Sequence, residues 1–482
     1  MNKKMVFRTV GKLLQILALI LLIPAVVAII YSETKQLFAF LITAACSFTI
    51  GFVITLLTKT KNRVIYARDG FAITALAWIV MAIVGAVPFT VSGDIPSYVD
   101  AVFETVSGFT TTGASILTNV EAVSHSGLFW RSFTHWIGGM GVLVFVMAII
   151  PNFTDRSIHI MRAEMPGPII GKLVPRVKDT AKILYLIYIF LTLLEVGLLL
   201  GGGMSLFESF VHTFGTAGTG GFGIKPDSIA SYSPYCQWVI AIFMLIFGVN
   251  FNLYYLLLLG RVKTALKSSE LWCYLSIVFI SVSAITINTL SITNNFSRAF
   301  RDSVFQVASI ISTTGYSTSN FDAWPGLSKT ILFLLMLTGA CAGSTAGGLK
   351  ISRVVILFKT VVKDIKKALH PRSVGKIHFE GKLLEDTTIN NVATYFIIYM
   401  ICFFGIFLLI SFENFGFETN LSAVTACFNN IGPGFAKVGP ELSYEAYTGF
   451  SKIVLSFAML LGRLEIFPII IFFSPYTWAK KK

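Results

Sequence analysis

Runs of about twenty apolar residues recur along the whole chain, separated by short polar stretches. Such a run is the length an α-helix needs to cross a hydrocarbon layer of ~30 Å. The pattern predicts ten full spans, near 11–31, 37–58, 71–91, 126–151, 181–202, 235–260, 271–292, 326–358, 389–412 and 447–473. Shorter semi-apolar pieces lie between some of them, at 97–110, 205–215, 297–311 and 419–430. At about 11–15 residues these are too short to cross as helices and read as re-entrant segments. The first run follows MNKKMVFR, as in a signal peptide, but it is long enough to span, and a second run follows after a short turn. The two read as a helical hairpin.

Composition sharpens the class. Of 482 residues, 55% are hydrophobic and 13% charged, against about 25% charged in soluble domains. No polar stretch is long enough for a soluble domain. The net charge of +14 follows membrane side. With the N-terminus inside, 29 of the 38 Lys and Arg fall in inner loops and 8 on the outer side, with Arg463 in a span. This is the positive-inside pattern. It places both termini in the cytoplasm and removes the nucleic-acid reading of a basic chain. The outer side carries 13 acidic residues, a balance that concentrates cations.

After the hairpin, one pattern occurs four times: span, re-entrant piece, small-residue stretch, span. The stretches are FTTTGAS (109–115), TAGTGGFG (216–223), STTGYST (312–318) and NNIGPGF (429–435). They align on Gly113, Gly220, Gly315 and Gly432. An acidic residue, Asp100, Glu208, Asp302 or Glu418, precedes each glycine by 12 to 14 positions. Each is expected to start a re-entrant helix, where a carboxylate meets the free N–H groups and the positive dipole end. The helix C-termini then point at the glycine stretches. Non-helical backbone at membrane depth is tolerated only where it is buried or lines a wet cavity. Four such segments around one axis can present rings of carbonyl oxygens that replace a cation's water shell, as in potassium-channel filters. The competing reading, ordinary Gly/Thr packing patches, does not account for four stretches in register. The expected fold is therefore an all-α polytopic membrane protein. It has about ten transmembrane helices and four pseudo-repeated membrane-pore-membrane units around a central pore. The divisions are a hairpin at 1–70 and units at 71–180, 181–270, 271–388 and 389–482.

Together with HWIGGMGVLVF (135–145), AEMPGP (163–168), GVNFNLYYLLL (248–258), GSTAGGLK (343–350) and GRLEIFP (462–468), these stretches resemble the TrkH/KtrB/HKT superfamily of potassium transporters. The N-terminal hairpin is similar to that of TrkH-type members. The resemblance covers roughly 71–475. It implies potassium uptake across the inner or plasma membrane, a homodimer in lipid, and control by a separate cytosolic nucleotide-binding ring of the TrkA type. No cofactor is expected on this chain, K⁺ is the substrate, and any nucleotide belongs to the partner. The implied selectivity filter comprises Thr111, Thr112, Gly113, Gly218, Thr219, Gly220, Thr313, Thr314, Gly315, Asn430, Ile431 and Gly432. In plant relatives a serine at the first filter glycine accompanies sodium permeation, whereas all four aligned positions here are glycine. Ile431 and Asn429–Asn430 break the fourfold symmetry, and no unit has a full TVGYG run, so looser discrimination is expected.

The stretch LTGACAGSTAGGLK (337–350) interrupts an apolar run. Gly339, Gly343, Gly347 and Gly348 undermine a helix there, at roughly 1 kcal/mol each relative to Ala. Two half-helices joined by a loop are expected, and the family resemblance implies a gate that includes Ser344, Thr345 and Lys350. The loop is expected to be mobile and poor in side-chain contacts; a flexible kink is the alternative. Arg463 lies mid-span, where a charge normally faces water or a partner. It reads as a pore-facing gate residue, or as a structural partner of Glu195. Lys350 is a candidate anchor through snorkelling or backbone oxygens.

Other motifs carry nothing. GTGGFG (218–223) lacks the βαβ context of a dinucleotide site, and GSTAGGLK lacks the P-loop lysine position. The six cysteines and six histidines form no metal pattern. A secondary transporter with alternating access is the alternative, but its inverted repeats are not seen, because all four units run in one direction. An intramembrane enzyme would need a paired carboxylate or nucleophile–base set, and none is visible.

Overall fold

The computed structural model describes residues 1–60, 66–141, 177–373 and 375–478. They are mostly helical, with one short antiparallel hairpin in which His378–Phe379 pairs with Lys382–Leu383. Among the described residues, six helices are long and apolar enough to cross a membrane: Lys3–Ile30 (with a jog at Leu21), Thr34–Leu57, Arg68–Ser92, Ala181–Gly201, Ser269–Thr293 and Asp386–Ile410. Large apolar side chains such as Leu57, Phe279, Ile287 and Leu408 point outward. In water such a surface would be an aggregation liability; against lipid it is the expected exterior. The chain is an integral membrane protein.

The other expected spans are interrupted. Run 235–260 folds as Pro234–Phe247 and Phe251–Leu258, bent by 91°, and run 447–473 as Gly449–Arg463 and Phe467–Phe473, bent by 119°. Run 326–358 stops at Thr338 and restarts at Ile351. In 126–151 the helix is His125–Gly139, and the part beyond Gly141 lies outside the described residues. The second helix of every unit thus stops after 13 to 15 residues. At 464–466 the break has no glycine: Glu465 (φ 53°) and Ile466 (φ 65°) are both left-handed, a conformation that is a genuine outlier for a β-branched residue. Arg353 holds Glu465 there in a two-pronged ion pair at 2.5 and 3.1 Å.

The N-terminal hairpin closes through two glycines. A Cβ on Gly51 would stand 2.5 Å from the Gly11 carbonyl oxygen, so only small residues allow this crossing. Glu33, in the hairpin's turn, caps the helix His125–Gly139. It accepts from the His125 N–H at 2.7 Å, the Ser126 N–H at 3.0 Å and the Ser126 hydroxyl at 2.6 Å. The hairpin is thereby fastened to the first unit.

Candidate ion-conduction site

The four short helices expected between spans are present as Tyr98–Phe109, Leu206–Gly218, Phe296–Ile311 and Phe417–Phe428. Their starts differ from the simple acidic rule. Ser97, Ser205 and Asn295 cap the first three through side-chain oxygens, and Glu208 completes a capping box with Ser205. Asp302 is not at a helix start. It lies in the seventh position and meets Thr318, Arg298 and Arg301. Asp100 and Glu418 are in first turns but engage Lys452 at 2.6 Å and Lys329 at 3.3 Å.

Each short helix ends in the same backbone trace. Thr111, Thr219, Thr313 and Asn430 are left-handed (φ 55–57°), and two residues later Gly113, Gly221, Gly315 and Gly432 are left-handed again. Between them, the N–H of Thr112, Gly220, Thr314 and Ile431 returns to the helix at 2.8–2.9 Å. The structural register therefore aligns Gly221, not Gly220, with the other three glycines. Thr219 matches Thr111, and Gly218 is the last residue of its helix.

The four traces close into a ring. A Cβ on Gly113 would stand 2.0 Å from the Gly220 carbonyl oxygen, one on Gly221 2.0 Å from that of Thr314, one on Gly315 2.0 Å from that of Ile431, and one on Gly432 2.7 Å from that of Thr112. Each glycine thus presses on the next unit's carbonyl, in cyclic order. Glycine is required twice over, by positive φ and by this approach. Two buried oxygens at the base of the ring, Thr111 Oγ1 and Asn430 Oδ1, have no hydrogen-bond partner among the described residues. The Asn430 amide nitrogen donates to Thr112 Oγ1 at 3.0 Å and to the Met459 carbonyl at 2.9 Å. On one side of the ring is a cavity of about 250 Å³, lined among others by Gly113, Gly221, Gly315, Gly432 and Glu441.

Side chains that sequence reasoning passed over brace the ring. Arg131, one of the eight basic residues assigned to the outer side, is buried and pairs with buried Glu104 at 2.5 Å. It also donates to the Gly223 carbonyl at 2.9 Å and lies over the Phe222 ring. Glu104 accepts from Ser115 Oγ and the Ile116 N–H, both at 2.9 Å, just past Gly113. Tyr444 donates to the Gly432 carbonyl at 2.8 Å. An arginine 27 residues from a glutamate has no helical spacing, so no local pattern announces the pair.

On the other side of the ring lies the loop 339–350, within the stretch 337–350 that the sequence marked. It is not poor in contacts. The Gly347 N–H donates to Thr313 Oγ1 at 2.6 Å, directly against the ring's base. The loop is sewn to the break in the second unit: Cys341 N–H to the Gly248 carbonyl at 3.1 Å, Phe251 N–H to that of Gly343 at 3.0 Å, and Thr345 hydroxyl to that of Phe247 at 3.3 Å. Arg463, the last residue before the fourth unit's break, donates to the Thr345 carbonyl at 2.7 Å and to those of Gly138 and Gly139 at 2.6 and 2.7 Å. It therefore clamps the loop to the first unit. Lys350 is buried and donates to the Ala346 carbonyl. Gly343, Ser344, Gly347, Gly348, Lys350 and Arg463 also line a cavity of about 40 Å³, room for a few waters. Gly339 is left-handed and packs on Gly348. Glu195 is buried in the helix Ala181–Gly201, with the Thr216 side chain beside its carboxylate.

A family model described as TrkH, cation transport protein, matches residues 36–275 and 255–480. The chain belongs to the TrkH family. It is 34% identical over 488 residues to the Trk system potassium uptake protein TrkH of Escherichia coli strain K12, with all of both chains covered. It is 33% identical to the Trk system potassium uptake protein TrkG of the same strain, over 97% of each chain. The crystal structure of the potassium transporter TrkH from Vibrio parahaemolyticus superposes with a TM-score of 0.89 at 30% identity, covering 99% of this chain and 100% of that one. Membership makes this chain a membrane transport protein and not an enzyme.

Proposed function

We propose that the chain takes up potassium through the ring of glycine stretches, with the loop 339–350 and Arg463 as the gate. The cyclic contact of each glycine with the next unit's carbonyl carries this reading. Four carbonyls held at one level can replace the water shell of a dehydrated cation, and the short helices aim their negative ends at the same point. Thr111, Thr112, Gly113, Thr219, Gly220, Gly221, Thr313, Thr314, Gly315, Asn430, Ile431 and Gly432 form the filter. The loop stops the path because Gly347 sits against Thr313, and Arg463 adds a fixed positive charge beside it.

The loop's face is cytoplasmic, with both termini, because the basic loops lie there. The protein works as a homodimer, with a TrkA-type nucleotide-binding ring docking on that face near 359–388; the other basic segment, 152–180, falls mostly outside the described residues. Ion flux through the purified protein in liposomes, comparing K⁺, Rb⁺ and Na⁺, tests the reading. Flux of K⁺ and Rb⁺ above Na⁺ is expected; equal flux of all three overturns it.

A further inference from the structure

Glu270 is a buried carboxylate, at the start of the helix Ser269–Thr293, with no part in the ring. One oxygen, Oε1, accepts two backbone N–H groups ten residues apart: Ala342 at 2.8 Å and Ser352 at 3.1 Å. These flank the glycine-rich loop, whose neck is also closed by the Ile351 N–H to the Ala340 carbonyl at 3.0 Å. Glu270 therefore spans the neck of the loop like a clasp.

The helix that carries Glu270 is itself held from outside. Glu380, exposed at the tip of the short hairpin, has φ 51° and is followed by Gly381 at 71°. This is the two-residue turn that suits hairpin twist. Its Oε1 accepts from the Glu270 N–H at 2.9 Å and from the hydroxyls of Ser268 and Ser269, both at 3.1 Å. Two carboxylates thus act in series: the hairpin holds the helix start, and the helix start holds the loop.

We infer that Glu270 and Glu380 form a latch that keeps the loop in its pore-closing position and links that position to the hairpin. Both are positioning residues, acting through the loop. The inference rests on the gate reading above. A regulator that pulls on the hairpin would loosen the clasp without touching the membrane-buried loop.

The test uses the full-length protein in liposomes, with K⁺ and Na⁺ flux and hydrogen exchange of the 341–352 amides. Glu270→Ala and Glu380→Ala are each expected to raise K⁺ flux roughly tenfold or more, since each removes at least two hydrogen bonds and one alone shifts a two-state ratio by a factor of about five. Both are expected to speed exchange in 341–352 at an unchanged K⁺/Na⁺ ratio. Glu270→Gln keeps an acceptor oxygen and should restore most of the closed behaviour. Because Glu380 is exposed, its variant keeps the test sound should Glu270→Ala fold poorly. Deletion of 341–348 separates the two ideas. If the deletion raises flux but both alanine variants keep wild-type flux and exchange, the latch is wrong and the gate stands. If the deletion leaves flux unchanged, the gate falls and the latch with it.

Discussion

Gly113→Ser is the sharpest probe of the ring. At φ 79°, an L side chain at this position costs about 1–2 kcal/mol of backbone strain. Its Cβ would also stand 2.0 Å from the Gly220 carbonyl oxygen, where contacts under 3.0 Å are essentially never found. That carbonyl must retreat, or the stretch must rotate its own. Either movement opens one side of the ring, and the loss falls on the ion that used the displaced oxygen. A difference of 1.4 kcal/mol between two ions is a factor of ten, so the K⁺/Na⁺ permeability ratio is expected to fall about tenfold. The assay is paired K⁺ and Na⁺ flux in liposomes, with folding checked by size-exclusion chromatography and melting. Gly93→Ser is the control: φ is 86° there, but nothing lies within 4 Å of the added Cβ. It bears the same strain without touching the ring and should leave the ratio unchanged. A well-folded Gly113→Ser protein with the wild-type ratio, or equal changes in both variants, would refute the reasoning.

Arg463→Ala removes all three carbonyl contacts of the clamp, and deleting part of 341–348 removes the plug. Each is expected to raise K⁺ flux severalfold with selectivity kept, and the double variant to add little, as flux through the three proteins will show. Arg131→Met strands Glu104 in a buried site, so thermal unfolding in detergent should show a loss of about 3–5 kcal/mol; an unchanged melting curve would mean the pair does not brace the ring. Glu33 gives a pH signature. Burial alone raises its pKa, but hydrogen bonds from the Ser126 side chain and N–H and from His125 outweigh this and hold it below the ordinary 4.5. Its contribution is thus present above pH 4.5 and lost as pH falls through the lowered value; Glu33→Gln should flatten the melting temperature across that window. Reversing the charge of Lys359, Lys363, Lys366 and Lys376 should weaken co-purification of a TrkA-type ring, and undiminished binding at low salt would place the docking surface elsewhere.

What the sequence determined by itself was set by short-range rules. Run length marked the six unbroken spans, because a bilayer demands internally bonded helices of a given span, but it also predicted as continuous four runs that the fold breaks. Four repeats of one polar interruption announced four units. Four glycines in ten residues placed a loop between two half-helices, which end at Thr338 and restart at Ile351, because glycine weakens a helix wherever it stands. Tertiary structure decided the rest. Thr219-Gly220-Gly221 offers two adjacent glycines, and only the position of the Thr314 carbonyl selects Gly221. Gly462 and Pro468 flank the break at 464–466, but the left-handed Glu465 is held by Arg353, 112 residues away. Arg131 reads as one more outer-side charge until Glu104 is brought beside it, and Glu270 as an ordinary helix start until Ala342 and Ser352 converge on one oxygen. The loop's glycines predicted looseness, but its backbone groups found partners at Gly248 and Phe251 in the second unit, Thr313 in its own unit and Arg463 in the fourth. Composition reports what a segment lacks within itself. Only the packed fold reports which distant groups supply it.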